Sequence, residues 1–220
     1  MDLIPSDDQQ QIIDLAADFI LNELPLTRLF DAHYDADRAR AQRKAVAELG
    51  WFGIGLPEES GGVGMTVVEE AFILRELGRV IGPTAIIPAI LAAKLAARLD
   101  LTELRDRLLL GEVAAALAIG EEPLTASADQ VIGTARVYDI QDAACIVATV
   151  GNEALLLAVS PSDLQPTPWL DSFTPVARRN LSGLPILGRT PLRETSQNGM
   201  LLTAAMLAAS PSIAVTTPPS

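Results

Sequence analysis

The chain has 220 residues, of which 49% are hydrophobic and 20% charged, and it carries a formal net charge of −12. That length admits one large domain or two small ones, and the acidic balance argues against nucleic acid or an anionic membrane surface as a partner, since phosphate contacts need clustered Lys and Arg. The single cysteine, Cys145, leaves no internal disulfide possible, which fits a reducing compartment.

The N-terminal residues Met1 to Asp8 lack the basic stretch of a secretory signal. Ser6 and Gln9 have capping-box spacing, and Ile12, Ala16, Phe19 and Ile20 then recur at helical intervals up to Pro25. A second helix is expected over Arg38 to Leu49, capped by Asp37 and ended by Gly50. A third covers Thr66 to Val80, with Val67, Ala71 and Leu74 on one side. A fourth runs from Thr84 to Leu99. Its apolar run, Ala85 to Ala97, contains Pro88 and Lys94 and falls short of the roughly 20 apolar residues of a membrane span. A fifth, Thr102 to Leu110, stops at Gly111. Helices joined by short connections imply a bundle. Together these features predict a soluble cytoplasmic protein with no membrane association.

The pattern then changes. Val113 to Ile119 is an apolar run with strand length. Ala143 to Val150 and Ala154 to Val159 flank Gly151-Asn152, a hairpin signal because Gly and Asn tolerate positive φ. Pro and Ser thicken from Ser160 to Pro175, as in loops around short strands. Glu194 to Ala209 is helical again, and Thr216 to Ser220 has the composition of a disordered tail. The expected fold is α+β: a helical bundle over residues 1–111, a small β-barrel-like domain over 112–193, and one terminal helix within 194–220.

One stretch is more specific than the rest. Leu49-Gly50-Trp51-Phe52-Gly53-Ile54-Gly55-Leu56-Pro57-Glu58-Glu59-Ser60-Gly61-Gly62-Val63-Gly64-Met65, followed by Glu69 and Glu76-Leu77-Gly78-Arg79, resembles the N-terminal helical domain of the acyl-CoA dehydrogenases. The resemblance implies a helical domain, a central β-domain and a C-terminal helical domain, of which only the opening helix is expected here. It implies FAD as cofactor and an acyl-CoA as substrate. In that chemistry a carboxylate removes the α proton while the flavin accepts hydride from the β carbon. The family's catalytic Glu lies in the C-terminal domain, so no catalytic residue is assigned; Glu194 reads as a helix-start carboxylate.

The family's Thr-Glu-Pro and Gly-Ser-Asp elements correspond to Glu121-Glu122-Pro123 and Ala126-Ser127-Ala128-Asp129. Glu122, Pro123 and Ser127 match and are the cofactor-binding candidates. Glu121 replaces a threonine hydroxyl with acceptors only. Ala126 adds a Cβ where the family has glycine. Tyr138 is a loose substitute for the family's tryptophan.

Other candidates have plain readings. Gly61-Gly62-Val63-Gly64 lacks the preceding strand of a phosphate loop and reads as a turn. Glu58 and Glu59 diverge as neighbours. His33, the sole histidine, has no companion ligands, so no metal site is expected. Cys145 reads as an inert core thiol and Trp51-Phe52 as core anchors. Arg178, Arg179, Arg189 and Arg193 form a basic patch, read either as a contact for CoA or flavin phosphates or as a solvated or subunit-facing edge. Three functions stay open: a subunit of an acyl-CoA dehydrogenase, a non-catalytic partner of a full-length dehydrogenase subunit, or an inactive truncated product.

Overall fold

Ser6 and Gln9 behave as their spacing predicts. The Ser6 hydroxyl accepts from the Gln9 backbone N–H while the Gln9 amide oxygen accepts from that of Ser6, opening helix α1 (Asp7–Glu23). The computed structural model describes residues 5–25, 35–168 and 173–192. His33, Arg193, Glu194 and the expected terminal helix lie outside them.

Helix α2 (Ala36–Glu48) starts two residues earlier than its spacing suggests, and its cap is Asp35 rather than Asp37. The Asp35 carboxylate accepts from the backbone of Arg38, whereas Asp37, inside the first turn, pairs with Arg40. Helix α3 (Val67–Arg79) is capped by Thr66 with Glu69 in a capping box. Its fully buried residues are Glu70, Ile73, Glu76 and Leu77; of Val67, Ala71 and Leu74, Leu74 is half-buried against the same core and Ala71 is exposed. The inward face differs from the apolar period because two of its positions are carboxylates with cationic partners. Helices α4 (Ile86–Arg98) and α5 (Thr102–Leu109) follow, and Gly111 takes φ +65° as the chain leaves α5.

Helix α4 is apolar all round because it is covered on both sides. Ile86, Ala89 and Ile90 pack with Ile20, Trp51, Phe52 and Leu77 of the helical half. Leu91, Ala92, Leu95 and Ala96 pack on the sheet. Phe19 meets Trp51 edge to face at 5.2 Å, so Trp51 and Phe52 are core anchors.

The strands are β1 (Ala114–Gly120), β2 (Thr125–Ala126), β3 (Val131–Ile132), β4 (Thr134–Tyr138), β5 (Ala143–Val150), β6 (Glu153–Ala158), β7 (Val176–Asn180) and β8 (Ile186–Pro191). Six of them form one sheet in the order β7-β4-β1-β5-β6-β8, while β2 and β3 make a separate ribbon. Only β1 and β5 run parallel. Among the described residues β7 and β8 are the two ends of this sheet and do not pair with each other, so the architecture seen is an open sheet.

The central strands are buried on both faces, which accounts for their unbroken apolar runs. Ala115, Leu117, Cys145, Val147, Ala154 and Leu156 point toward α4. Their neighbours Ala116, Ala118, Ile146, Ala148, Leu155 and Leu157 point to the opposite face, against Leu124, Val131, Leu164 and Leu181. The β5–β6 hairpin turns at Gly151-Asn152 as expected, with Gly151 at φ +57°.

Candidate functional site

Of the cofactor-binding candidates, Glu122 and Pro123 follow the exit of β1, while Ser127 follows β2 and is held by Arg189 of β8. Gly120 is required at the β1 exit, because a Cβ on it would stand 2.4 Å from the Glu122 carbonyl. Glu121 follows, and its carboxylate accepts from Arg178 on β7, whose Nε is shared between Oε1 at 3.0 Å and Oε2 at 3.1 Å and whose Nη2 donates to Oε2 at 2.8 Å. Arg136 on β4, the cross-strand neighbour of Arg178, lies 3.7 Å from Oε1. The Arg178 bonds chiefly hold the Glu121 carboxyl below the ordinary glutamate range.

Glu122 and Pro123 are exposed, and Leu124 beneath them anchors the turn in the core. Ser127 is exposed at the end of the β2–β3 ribbon; its N–H donates to the Gln130 carbonyl at 2.9 Å and its hydroxyl lies 3.5 Å from the same oxygen. Ala126 sits in β2 and is not among the positive-φ residues, so its Cβ brings no backbone strain.

Two of the basic residues are already engaged. Arg178 holds Glu121, and Arg189 donates to the carbonyls of Ser127 and Ala128 at 2.8 and 2.6 Å. Arg179 has a buried Nε with no hydrogen-bond partner among the described residues. At position 121 the fit to a flavin ring fails: the side chain offers no donor, and both acceptor oxygens are taken by a guanidinium.

Other sequence candidates resolve into structure. Gly61 to Met65 donate their N–H groups to the carbonyls of Glu58, Pro57, Gly53, Leu56 and Ile54, so this loop has no free amide cradle for phosphate. A Cβ on Gly62 would lie 2.2 Å from the Leu56 carbonyl oxygen, which explains the glycine. Glu58 and Glu59 are exposed on a short 3-10 turn. Cys145 is buried, and burial pushes its thiol up to about 12, as an inert core residue requires. Among the described residues no group of three or more His, Cys, Asp or Glu is gathered for a metal, and no helix is long and apolar enough to cross a membrane.

Three features escaped the sequence reading. The first is a buried ion pair between Glu70 on α3 and Lys94 on α4, with Glu70 Oε1 left without a partner. A lysine inside an apolar helical run was its one visible signal. The second is Asp142, which binds Arg40 at 2.7 Å and Arg43 at 3.2 Å and so ties the β4–β5 link to α2. The third is a cavity of about 440 Å³ where α2, the α3–α4 link, the β4–β5 link and Phe173 to Pro175 converge. Leu24, Phe52 and Ala114 complete its lining, and no local motif marks it, because its walls come from distant parts of the chain.

A helical layer sharing one apolar helix with a mixed sheet defines an α+β protein, as expected. Residues 6–109 match the family model described as the acyl-CoA dehydrogenase N-terminal domain. The helical domain of this chain belongs to the acyl-CoA dehydrogenase family.

Solved structures agree on the fold. A variant of the steroid ACAD Tcur3481-Tcur3483 is 21% identical with a TM-score of 0.71, over 92% of this chain and 61% of that one. An acyl-CoA dehydrogenase from Bacillus anthracis, complexed with FAD, is 20% identical with a TM-score of 0.65, over 83% and 38%. A glutaryl-coenzyme A dehydrogenase in complex with glutaryl-CoA is 18% identical with a TM-score of 0.64, over 94% and 61%. The chain thus spans about three fifths or less of the length of these structures. No curated protein sequence matches it.

Proposed function

We propose that this chain is a cytoplasmic subunit of a larger acyl-CoA dehydrogenase assembly, which uses FAD to desaturate a fatty or steroid acyl-CoA between its α and β carbons. The observation that carries the reading is the family helical domain joined to a sheet, with Glu122 and Pro123 exposed after β1 and Ser127 exposed after β2. Those three residues mark the edge of this chain that faces the flavin. A full-length dehydrogenase subunit is the expected partner and supplies the base and most of the cofactor contacts. The two-component name of the steroid ACAD among the similar structures supports a pairing of this kind. Bound flavin supplies hydride acceptance; this chain contributes position and an exposed polar edge.

A second reading makes the chain a non-catalytic partner that only completes the assembly. The Glu121–Arg178 pair favours it, because a satisfied carboxylate replaces a hydroxyl donor. Purification from native cells tests both. Flavin absorbance and a co-eluting full-length dehydrogenase support an assembly; a colourless chain that elutes alone overturns both readings. Within such an assembly, Glu122→Gln with Ser127→Ala lowers flavin occupancy on the first reading and leaves it unchanged on the second.

A further inference from the structure

We propose that the cavity between α2 and the β4–β5 link is a binding site for a compact, uncharged, mainly apolar molecule, separate from the cofactor edge. The separation follows from β1 itself. Ala114 at its start lines the cavity, and Gly120 at its end precedes Glu121, six residues away. At about 3.3 Å per residue the two sites stand about 20 Å apart along the strand.

The volume, about 440 Å³, lies in the range of small-molecule pockets, and the walls are of the kind that bury apolar ligands. Leu24, Val46, Phe52, Ile86 and Ala114 bring buried apolar surface from the helices and the sheet. Among the described residues the ionisable lining groups are Asp35, Arg38, Arg43 and Asp139, two acids and two bases, so their charges balance.

These charged groups already have work to do. The Asp35 carboxylate caps α2, Arg43 donates to the Gly111 carbonyl and to Asp142, and Asp139 accepts from the Thr84 hydroxyl at 2.8 Å. An entering phosphate or carboxylate would have to displace one of these bonds while facing two resident carboxylates, at the cost of burying an imperfectly paired charge. An uncharged molecule meets no such opposition. A hydroxyl or carbonyl on it can be met by the Thr84–Asp139 pair and Gln141 at one wall.

The test uses the purified full chain and N-phenyl-1-naphthylamine, an uncharged fluorophore that brightens when removed from water. Wild-type protein is expected to give a saturable signal that n-decanol displaces. Ala39→Trp, which fills the cavity from α2, is expected to weaken binding about tenfold or more, equivalent to about 1.4 kcal/mol. Ala41→Trp, on the same helix but exposed and outside the cavity lining, is expected to leave it unchanged. Gln42→Trp, at a half-buried lining position, gives a second filling variant should Ala39→Trp not fold. Non-saturable fluorescence, or equal binding by the filling and control variants, overturns the proposal. None of these readouts depends on flavin or on a partner subunit, so they fail or succeed separately from the reading above.

Discussion

The two halves of the molecule each use a carboxylate paired with a base across two elements, and burial separates them. In the helical half Glu70 and Lys94 join α3 to α4 with 1% and 9% of their surfaces exposed. In the sheet half Glu121 and Arg178 join the exit of β1 to β7 at the surface, their side chains 26% and 62% exposed. The same chemistry therefore has unequal consequences. Removing one partner of a buried pair strands the other charge in a low-dielectric interior, while an exposed pair merely exchanges protein contacts for water.

The sharpest way to break this comparison is Lys94→Ala. It leaves Glu70 buried and unpaired and is expected to cost about 3–5 kcal/mol in denaturant unfolding. Replacing both partners, Glu70→Leu with Lys94→Met, is expected to recover most of that loss. A double variant as unstable as Lys94→Ala would show that the pair itself holds the helices together.

Gly55→Ala probes the same pair by shape. Its Cβ would stand 2.7 Å from Glu70 Oε2 and 3.0 Å from Lys94 Nζ, so overpacking of about 1–3 kcal/mol is expected. An unchanged unfolding midpoint would mean that the pair shifts freely.

Asp142 is a second partly exposed carboxylate, tied to α2 by Arg40 and Arg43. The Arg40 hydrogen bond, foremost, holds its carboxyl below the ordinary value of about 3.9. The unfolded chain therefore takes up the proton first as pH falls. The contribution is complete above about pH 4 and is lost as pH drops through the lower folded value. Asp142→Asn is expected to cost about 1 kcal/mol at neutral pH and to flatten the acid limb of the stability curve. An acid limb identical to wild type would assign acid sensitivity to other groups.

Glu121→Thr gives the smallest effect. It restores the hydroxyl of the family pattern but supplies no other cofactor contact. Thermal unfolding is expected to stay unchanged and the isolated chain to remain colourless; stoichiometric flavin absorbance would show that position 121 alone withholds the cofactor.

Much of the fold was legible locally. Capping residues, helical periods and the Gly151 turn located α1 to α5 and the β5–β6 hairpin within one or two residues, because these signals act over three or four positions. The inward face of α3 was not legible, since Glu70 reaches Lys94 on another helix only in the folded chain and the local pairing of Glu76 with Arg75 and Arg79 reads as a surface pattern. The cofactor candidates were legible as a motif, but the engagement of Glu121 by Arg178 was not; 57 residues separate them.

The sequence by itself determined the element types, the acidic character, the helix stops and the family of the helical domain, all properties of neighbouring residues or of an ordered motif. Tertiary structure alone decided the sheet order, the pairing of Glu70 with Lys94, the engagement of Glu121 by Arg178, and the cavity. Each of these depends on which distant atoms share a small volume, and a hydrogen bond or a void exists only once the chain has brought its walls together.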